Sequence, residues 1–401
     1  MALVLLAPAH ASDIEARFEL DLRTHRPLVP AQLQITQSRG QLRELVLDGA
    51  RVVQPAGDGQ IFVEDDRVRW RPPPRGGTLR YQVPLTHQRK GKSADSYDAW
   101  LDDRFGVFRG EDAFPIQSWR RTRGSTLTSE LSVALPKGWS VITPYLPDSQ
   151  GHLPIRNPGT RMARPLGWIA AGELGTRRDV IEGVEITVTA PRGLHMERIA
   201  MLGLLRWTLP EIVPMLAGKS RPRYISIVSA GAPMWLGALS APNSIFVHAN
   251  RPLISENGTS TIVHEMVHVL LTELDTPRDQ DWIDEGLAEY LALRALKDSG
   301  TISTPRFEAS VAKFRSWGSS VRSLRTASAT GPVTARAVTI FHNLDTELRQ
   351  ATGGQQTVGS VVRNLLQAGE LTDLATLRTV TRGILKHPAR ALSAGQVPGF
   401  D

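Results

Sequence analysis

The sequence predicts a multi-domain α+β protein with an N-terminal β-sandwich, a central α+β domain and a C-terminal helical domain. Short runs of alternating apolar and polar residues fill the first half, and Gly and Pro clusters separate them. Near Gly193 the apolar period changes to that of helices, and helical patterns dominate beyond Pro305. The 401 residues suffice for two or three domains. The predicted boundaries are 12–191, 192–300 and 301–401, after a short remnant at 1–11.

The β-sandwich prediction rests on alternating stretches, each short enough for one strand. They lie at 18–22, 59–63, 79–83, 127–133 and 184–189. Turn-forming clusters such as Pro72-Pro73-Pro74 and Gly76-Gly77 stand between them. Several short strands with regular turn signals are typical of an antiparallel sandwich.

The central part mixes helices and strands. A helix is predicted over 194–216, interrupted by Pro210 and Pro214, and strands follow at 224–229 and 244–248. Two further helices are predicted up to about Lys297, and the C-terminal domain contains helical patterns such as 338–351 and 358–366.

The most informative segment is His264-Glu265-Met266-Val267-His268, an H-E-x-x-H motif inside the apolar helical run 261–271. On a helix, positions i and i+4 lie on one face, so both imidazoles can reach a single metal ion. Glu265 lies beside them and can accept a proton from water. The polar run 257–260 precedes the motif and suits a helix N-terminus.

An acidic segment supplies a third ligand. Glu285 follows His268 after sixteen residues, enough for a loop and the return of a second helix. Two His and one Glu leave the fourth position of zinc open, as in catalytic sites, so one Zn²⁺ per protein molecule is predicted. Glu289 lies one helical turn further on the same face; it either supports a ligand histidine or is a solvated helix charge. Asp284 points about a quarter-turn away and is a weaker ligand candidate.

The N-terminus predicts export. An apolar run ends in Ala9-His10-Ala11, which resembles an A-x-A cleavage site, with an incidental apolar start as the alternative. We therefore expect a bacterial periplasmic or secreted protein. No later run approaches the ~18 continuous apolar residues of a membrane span, so no transmembrane segment is expected. The absence of cysteine excludes disulfides and thiolate ligands.

The charge pattern argues against nucleic acid as a partner. The formal net charge is +7, and 40 of the 47 basic residues are arginine. They are interspersed with acidic residues, whereas a nucleic-acid footprint needs clustering. The expected partner is a peptide or protein substrate, and the sequence does not indicate an oligomeric state.

His264-Glu265-x-x-His268 with the Glu285-Gly286 pair, in this domain order, resembles the gluzincin zinc metallopeptidases and, among them, the glycyl-aminopeptidase family. Two other segments are similar to that family. The segment 237–244 (GALSAPNS) is similar to its G-G-[LM]-E-H-x-x-S pattern, and 344–354 (LDTELRQATGG) to its L-D-x-x-I-R-x-x-[ST]-G-G pattern. The resemblance covers roughly residues 100–385 and does not include the PDZ-like domain that the family often carries.

The resemblance implies a thermolysin-like α+β zinc catalytic domain at 192–300. His264, His268 and Glu285 would be the zinc ligands and Glu265 the general base. The Glu285-x-x-x-Glu289 spacing is similar to the gluzincin E-x-x-x-D pattern, in which the second acid supports the first histidine.

Two functional positions of the family differ in this sequence. Ser240 stands where the family has a Glu that recognises a free amine, and a neutral hydroxyl cannot supply that charge-assisted pairing. Thr334 stands where the family has a Tyr that donates to the developing oxyanion. Arg336 or His342 could substitute, or each could be a structural residue. The candidate substrate or oxyanion contacts are thus Ser240, Asn243, Thr334, Arg336 and His342.

The leading prediction is a zinc-dependent metallopeptidase, with endopeptidase or tripeptidase-like action favoured over aminopeptidase action because of Ser240. The strand at 244–248 is expected to pair with an extended peptide substrate. The alternative is a zinc-binding pseudoenzyme that acts as an envelope binding or scaffold module. A third interpretation, an accidental motif, predicts that no zinc is bound.

Overall fold

The structure is a computed structural model that describes residues 13–24, 27–89, 96–158, 163–216, 221–272 and 274–400. It divides into two compact units. The first comprises Met1–Leu174 with Ala232–Trp235, and the second comprises Gly175–Gly231 with Leu236–Asp401. The predicted export-signal remnant at 1–11 lies outside the described residues.

The first unit consists almost entirely of β-strands. Its elements are β1 (Ile14–Asp21), β2 (Leu28–Gln37), β3 (Leu42–Asp48), β4 (Val53–Gly57), β5 (Gln60–Glu64), β6 (Arg67–Arg71), β7 (Gly76–Pro84), β8 (His87–Gln88), β9 (Tyr97–Leu101), β10 (Phe105–Arg109), the short helix α1 (Gly110–Ala113), β11 (Ile116–Arg121), β12 (Leu127–Ala134), β13 (Ser140–Ile142), β14 (Leu153–Pro154) and β15 (Trp168–Gly172). They form sheets in the orders β14-β12-β1-β2-β7-β4, β13-β15-β10-β9-β8 and β11-β3-β6-β5.

Alternation explains why these segments are strands. In β1 the even positions from Ile14 to Leu20 are buried and the odd positions are exposed or half-buried, so one face of the sheet turns to the core. Phe18 meets Phe114 edge-to-face at 5.0 Å in that core, which strands of all three sheets share. The three sheets thus contribute apolar side chains to one shared core, and β15 is buried at every residue.

One buried acid of the first unit has several cationic neighbours. The fully buried Asp112 lies 2.5 Å from Arg51 Nη1, 3.3 Å from Arg109 Nε and 3.8 Å from His87 Nδ1. The Arg109 backbone N–H also donates to its Oδ2 at the start of α1. We call these four residues the arginine-paired cluster.

The second unit joins a mixed sheet to a set of helices. Its elements are β16 (Leu174–Ile181), β17 (Val184–Pro191), α2 (Arg198–Ile212), a 3₁₀ turn (Val213–Leu216), β18 (Tyr224–Ala230), β19 (Ala238–Ala241), β20 (Ser244–His248), α3 (Thr261–Leu270), α4 (Trp282–Asp298), α5 (Thr304–Trp317), α6 (Pro332–Ala351), α7 (Val358–Ala368), α8 (Leu374–Leu385) and a 3₁₀ turn (Arg390–Leu392). The sheet order is β16-β17-β18-β20-β19.

The sheet is parallel in its middle and has an antiparallel edge. β17, β18 and β20 run parallel, whereas β19 pairs antiparallel with β20. Every residue of β18 and β20 is buried, as expected for interior strands covered on both faces. The expectation that 244–248 pairs with a substrate peptide is wrong, because β18 and β19 occupy both edges of this strand. Among the described residues, β19 is the edge strand on this side of the sheet.

The unit boundary differs from the position where the apolar period changes. β17 lies within the predicted 12–191 domain, but it pairs with β18 from Glu185–Tyr224 to Thr189–Val228 and so belongs to the second unit's sheet. Strand alternation alone cannot show which sheet a strand joins. The division into three domains is finer than the two compact units and stays a prediction.

The helix α2 continues through Pro210 to Ile212, and Pro214 lies in the 3₁₀ turn that follows. Together they form the one stretch, within the described residues, that is long and apolar enough to cross a membrane. Half of that stretch is buried, and Leu205, Leu209 and Ile212 lie in the core of the second unit. A core helix explains this composition.

The helix α6 contacts α4 on one side and α7 on the other. A Cβ on Gly286 of α4 would lie 2.5 Å from the Ala337 Cβ of α6 and 2.9 Å from Phe341, so the two helices approach closely at this glycine. Asp345 of α6 accepts from Arg349 Nε at 2.6 Å and from the Val358 backbone N–H of α7 at 2.8 Å. The 344–354 segment thus braces α6 against α7.

The predicted fold class is confirmed: N-terminal β-sheets precede a mixed sheet, and a helical region follows.

Candidate metal centre

The motif helix buries one face and turns its imidazoles away from it. Ser260 caps α3 by accepting from the Val263 backbone N–H at 3.5 Å. Ile262, Val263, Met266 and Val267 lie in the core of the second unit, whereas His264 and His268 are only half-buried. The apolar stripe therefore orients both histidines toward the same side of the helix.

His264, His268 and Glu285 converge as the sequence predicted. The two Nε2 atoms lie 3.1 Å apart, and the Glu285 oxygens lie 3.6 Å from His264 Nε2 and 3.5 Å from His268 Nε2. Donor atoms that share a tetrahedral zinc with bonds of about 2.1 Å lie about 3.4 Å from one another. These three residues could therefore hold one metal ion.

Two more carboxylates face the other nitrogens of the rings. Glu289 Oε2 lies 2.8 Å from His264 Nδ1, off the axis of the ring N–H, and Asp284 Oδ2 lies 3.2 Å from His268 Nδ1. Such contacts hold each ring in the tautomer that leaves Nε2 free for a metal. We call His264, His268, Asp284, Glu285 and Glu289 the metal-site cluster.

The protonation of this cluster reflects competition between burial and charge. Burial alone would lower the pKa of His264, but Glu289, Glu265 and Glu285 outweigh it and raise the pKa to about 9. The pKa of His268 is also raised, because Asp284 outweighs burial. Burial raises the pKa of Glu285 despite both histidines. Because zinc binds imidazole in its deprotonated form, zinc binding at this site would compete with protons.

Within the part of the protein that the structure describes, the metal-site cluster has no lysine or arginine partner. Among the ion pairs of the described residues, those of Asp284, Glu285 and Glu289 involve only the two histidines. The three carboxylates are half-buried, and the donor set of two imidazoles and a carboxylate is of the kind that binds zinc.

Glu265 is held in place by the edge strand of the sheet. Its Oε2 accepts from the Ser240 backbone N–H of β19 at 2.7 Å, and only 8% of the residue is exposed. A bond to backbone fixes the carboxylate without neutralising its charge, so it can serve as a proton acceptor next to the two histidines.

The candidate substrate contacts lie in different places. Thr334 lines a cavity together with Glu285 and Glu289. Asn243 has φ of +53° in the β19–β20 turn, and its carbonyl accepts from the Ser226 backbone N–H. Ser240 is half-buried on β19, where its backbone reaches Glu265.

Arg336 and His342 have other surroundings. Arg336 donates to the Gln396 carbonyl at 2.8 Å. His342 packs between Tyr290 and Phe307, with ring centroids 6.2 and 6.0 Å away, and burial and Arg315 lower its pKa. A role for either residue as an oxyanion donor stays a prediction.

Asp284 is the residue whose position the sequence did not show. It was a weak ligand candidate, whereas the structure places it against His268 Nδ1. The available signal was its position directly before Glu285 in the first turn of α4, but periodicity alone cannot show which ring a carboxylate meets.

The fold is similar to that of M1 zinc metallopeptidases, and the His264, His268 and Glu285 group resembles their HExxH...E motif. A crystal structure of a mutant M1 zinc metallopeptidase from Deinococcus radiodurans, bound to a Tyr-Ser-Ala substrate, is similar with a TM-score of 0.66 at 16% identity, covering 96% of this protein and 94% of that one. The same organism's M1 zinc metallopeptidase structure gives a TM-score of 0.64 at 16% identity, covering 98% and 95%.

A structure of an aminopeptidase N family protein from Idiomarina loihiensis has a TM-score of 0.65 at 14% identity, covering 88% of this protein and 70% of that one. At such identities the likeness shows the fold alone. No protein-family model matches the sequence, and no curated protein is similar enough to match it.

Proposed function

We propose that this protein is an exported zinc-dependent metallopeptidase. The observation that carries the proposal is the convergence of His264 Nε2, His268 Nε2 and Glu285 beside a general-base candidate, Glu265, held by the Ser240 backbone. Export rests on the N-terminal Ala-His-Ala segment, and a precursor that shortens on secretion would support it.

The residues of this protein have distinct tasks in the proposed mechanism. His264, His268 and Glu285 would hold zinc, which when bound supplies Lewis-acid chemistry that activates water and polarises a carbonyl. Glu265 would accept the proton from the attacking water and transfer it to the leaving amine. Asp284 and Glu289 would keep both imidazoles in the metal-binding tautomer.

The edge strand supports a peptide as substrate. β19 ends the sheet, and an extended peptide can hydrogen-bond to such an edge. One M1 structure of similar fold contains a bound tripeptide, Tyr-Ser-Ala. Because Ser240 carries no charge, we propose internal or tripeptidase-like cleavage rather than recognition of a free N-terminal amine.

A second function is a zinc-binding pseudoenzyme that acts as an envelope scaffold. Two observations favour it: Ser240 lacks an amine-binding charge, and Thr334 presents only a short hydroxyl to the cavity beside Glu285. The intact, oriented Glu265 argues against it, because metal binding alone does not require that carboxylate.

The substitution Glu265→Gln separates these two functions. It keeps the side-chain shape and the contact with Ser240 but removes the proton acceptor, so peptide cleavage should fall by about 10²–10⁴-fold while zinc content is unchanged. Cleavage of a peptide library by the zinc-loaded protein is measured with and without a chelator.

The matched control is Glu370→Gln, an exposed residue outside the metal-site cluster, which should retain full activity. Unchanged cleavage by Glu265→Gln would contradict the mechanism. A zinc-loaded wild type that cleaves no library peptide would support the scaffold function instead.

A further inference from the structure

A cavity adjoins the metal-site cluster on the side of α5. It has a volume of about 360 Å³, close to the lower end of the roughly 300–1,000 Å³ of small-molecule sites. Glu285 and Glu289 form one part of its wall, and α5 supplies Lys313, Phe314 and Trp317. Its size suits one large side chain with its adjoining backbone.

The α5 wall offers an aromatic surface. Trp317 is 52% exposed although it lies beside a cavity, and Phe314 precedes it by about one helical turn. Gly331 lies opposite with φ of +56°, where even a Cβ would stand 3.5 Å from the indole. An exposed indole at a cavity offers a large contact area to an apolar ligand, and offset or edge-to-face packing favours an aromatic one.

A single cation lies on the same wall. Lys313 is four residues before Trp317, so both side chains lie on one helix face. Its Nζ is 2.6 Å from Asn257 Oδ1, a neutral acceptor, and within the described part of the protein Lys313 forms no ion pair. The cavity thus has the carboxylates of Glu285 and Glu289 on the side of the metal-site cluster. On the α5 wall it has the charge of Lys313, which has no carboxylate partner among the described residues.

We propose that this cavity binds a substrate residue with an aromatic side chain and a carboxylate close by. The aromatic ring packs against Trp317 and Phe314, and the carboxylate pairs with Lys313. The carboxylate comes from the C-terminus of a peptide or from an acidic side chain next to the aromatic residue. This inference rests on the proposed function for its substrate class, but its test needs no turnover.

Binding is measured by isothermal titration calorimetry on the zinc-loaded full-length protein carrying Glu265→Gln. The probes are alanyl-phenylalanine, its C-terminal amide, alanyl-alanine, and a peptide blocked at both ends with phenylalanine followed by aspartate. We expect alanyl-phenylalanine to bind at least tenfold more tightly than alanyl-alanine. Weaker binding of the amide assigns the carboxylate to a C-terminus, and equal or tighter binding of the blocked aspartate peptide assigns it to a side chain.

Two variants locate the site. Trp317→Ala should remove the preference for phenylalanine over alanine, and Lys313→Met should remove the preference for a carboxylate. The matched controls are Trp207→Ala, another exposed tryptophan, and Arg315→Met, an exposed cation on α5 outside the cavity lining; both should bind like the parent. Circular dichroism and zinc content verify that each variant is folded and loaded.

The outcomes separate this inference from the proposed function. Equal affinity for phenylalanine and alanine probes, or a preference that survives Trp317→Ala, overturns the cavity assignment even if the wild type cleaves peptides. If Trp317→Ala and Lys313→Met change probe binding as expected but the wild type cleaves no library peptide, the cavity assignment is sustained. The proposed peptidase function is then overturned.

Discussion

The arginine-paired cluster of the first unit and the metal-site cluster of the second both hold carboxylates beside cationic or titratable side chains, but Asp112 is fully buried whereas Glu285 is half-buried, and their charges are compensated differently. Asp112 has Arg51 and Arg109 within 3.3 Å. Glu285 has only two histidines beside it and further carboxylates close by. The charge of Asp112 is compensated by arginines, which keep their protons, whereas the charge of Glu285 is compensated by histidines, which can release theirs to bind a metal ion.

The pKa values follow the same difference. Burial acts to raise the pKa of both carboxyls; for Asp112 the arginines, the Arg109 N–H and His87 outweigh it and lower the pKa, whereas the pKa of Glu285 stays raised. A buried acid that stays ionised with resident arginines is a structural element. The half-buried Glu285, which has two histidines beside it instead of arginines, is suited to bind a metal ion.

The largest expected effect tests whether the metal-site cluster is built for a cation. Glu285→Ala removes one of three candidate ligands, so the apparent zinc affinity should fall by more than about 100-fold, beyond the range for supporting residues. Competition with a fluorescent chelator measures it, with Glu370→Gln as the control. If Glu285→Ala bound zinc as tightly as the wild type, the metal-site cluster would not be a zinc site that depends on Glu285, and the contrast with the arginine-paired cluster would fail.

A smaller effect is expected where the arginine-paired cluster loses its acid. Asp112→Asn leaves Arg51 and Arg109 without a counter-charge, and the free energy of unfolding of the first unit should fall by about 2 kcal/mol. This is less than for a fully buried pair because both arginines remain partly hydrated. Urea unfolding followed by fluorescence measures it, and zinc content should not change.

The control is Asp66→Asn, whose exposed ion pair with Arg67 should contribute under about 0.5 kcal/mol. Because the folded pKa of Asp112 is lowered, its contribution is present above the unfolded pKa of about 3.9 and is lost as pH falls through the folded pKa. Wild type and Asp112→Asn should therefore converge in stability in acid, and a constant difference down to the lowest pH would contradict the assignment.

The smallest effect concerns the residues that orient the histidines. Glu289→Gln and Asp284→Asn each keep the side-chain size and weaken but do not abolish the contact with an Nδ1 atom, so the apparent zinc affinity should fall by about tenfold. The two variants control each other, since both remove one negative charge from the cluster. If both variants bound zinc as tightly as Glu370→Gln, Asp284 and Glu289 would be solvated helix charges with no role in orienting the histidines.

The sequence predicted the ligands of the candidate site but only part of its surroundings. His264, His268 and Glu285 follow from spacing on two helices, because that spacing determines which side chains share a face. The contact of Asp284 with His268 and the bond from Ser240 to Glu265 depend on how α4 and β19 pack against α3. Such non-local distances are not encoded in any local pattern.

The same limit applies to the fold. Alternation located β7, β12 and β20, and helical periodicity located α6 and α7. These local patterns could not show that β1 pairs in parallel with β12, more than a hundred residues away. They also could not show that β17 joins the sheet of the second unit. The mistake over 244–248 has this origin, because a buried strand and an open edge look alike in sequence.

The close approach of α4 and α6 at Gly286 gives the Glu285-Gly286 pair a meaning of its own. The first residue provides the oxygen atoms, and the second sets how far α4 stands from Ala337, hence where those oxygens arrive. Any larger residue at the second position displaces the first. A search for distant relatives should therefore require the Glu-Gly dipeptide together with a small residue on the facing helix. The same three residues should be kept together when this site is designed into another scaffold.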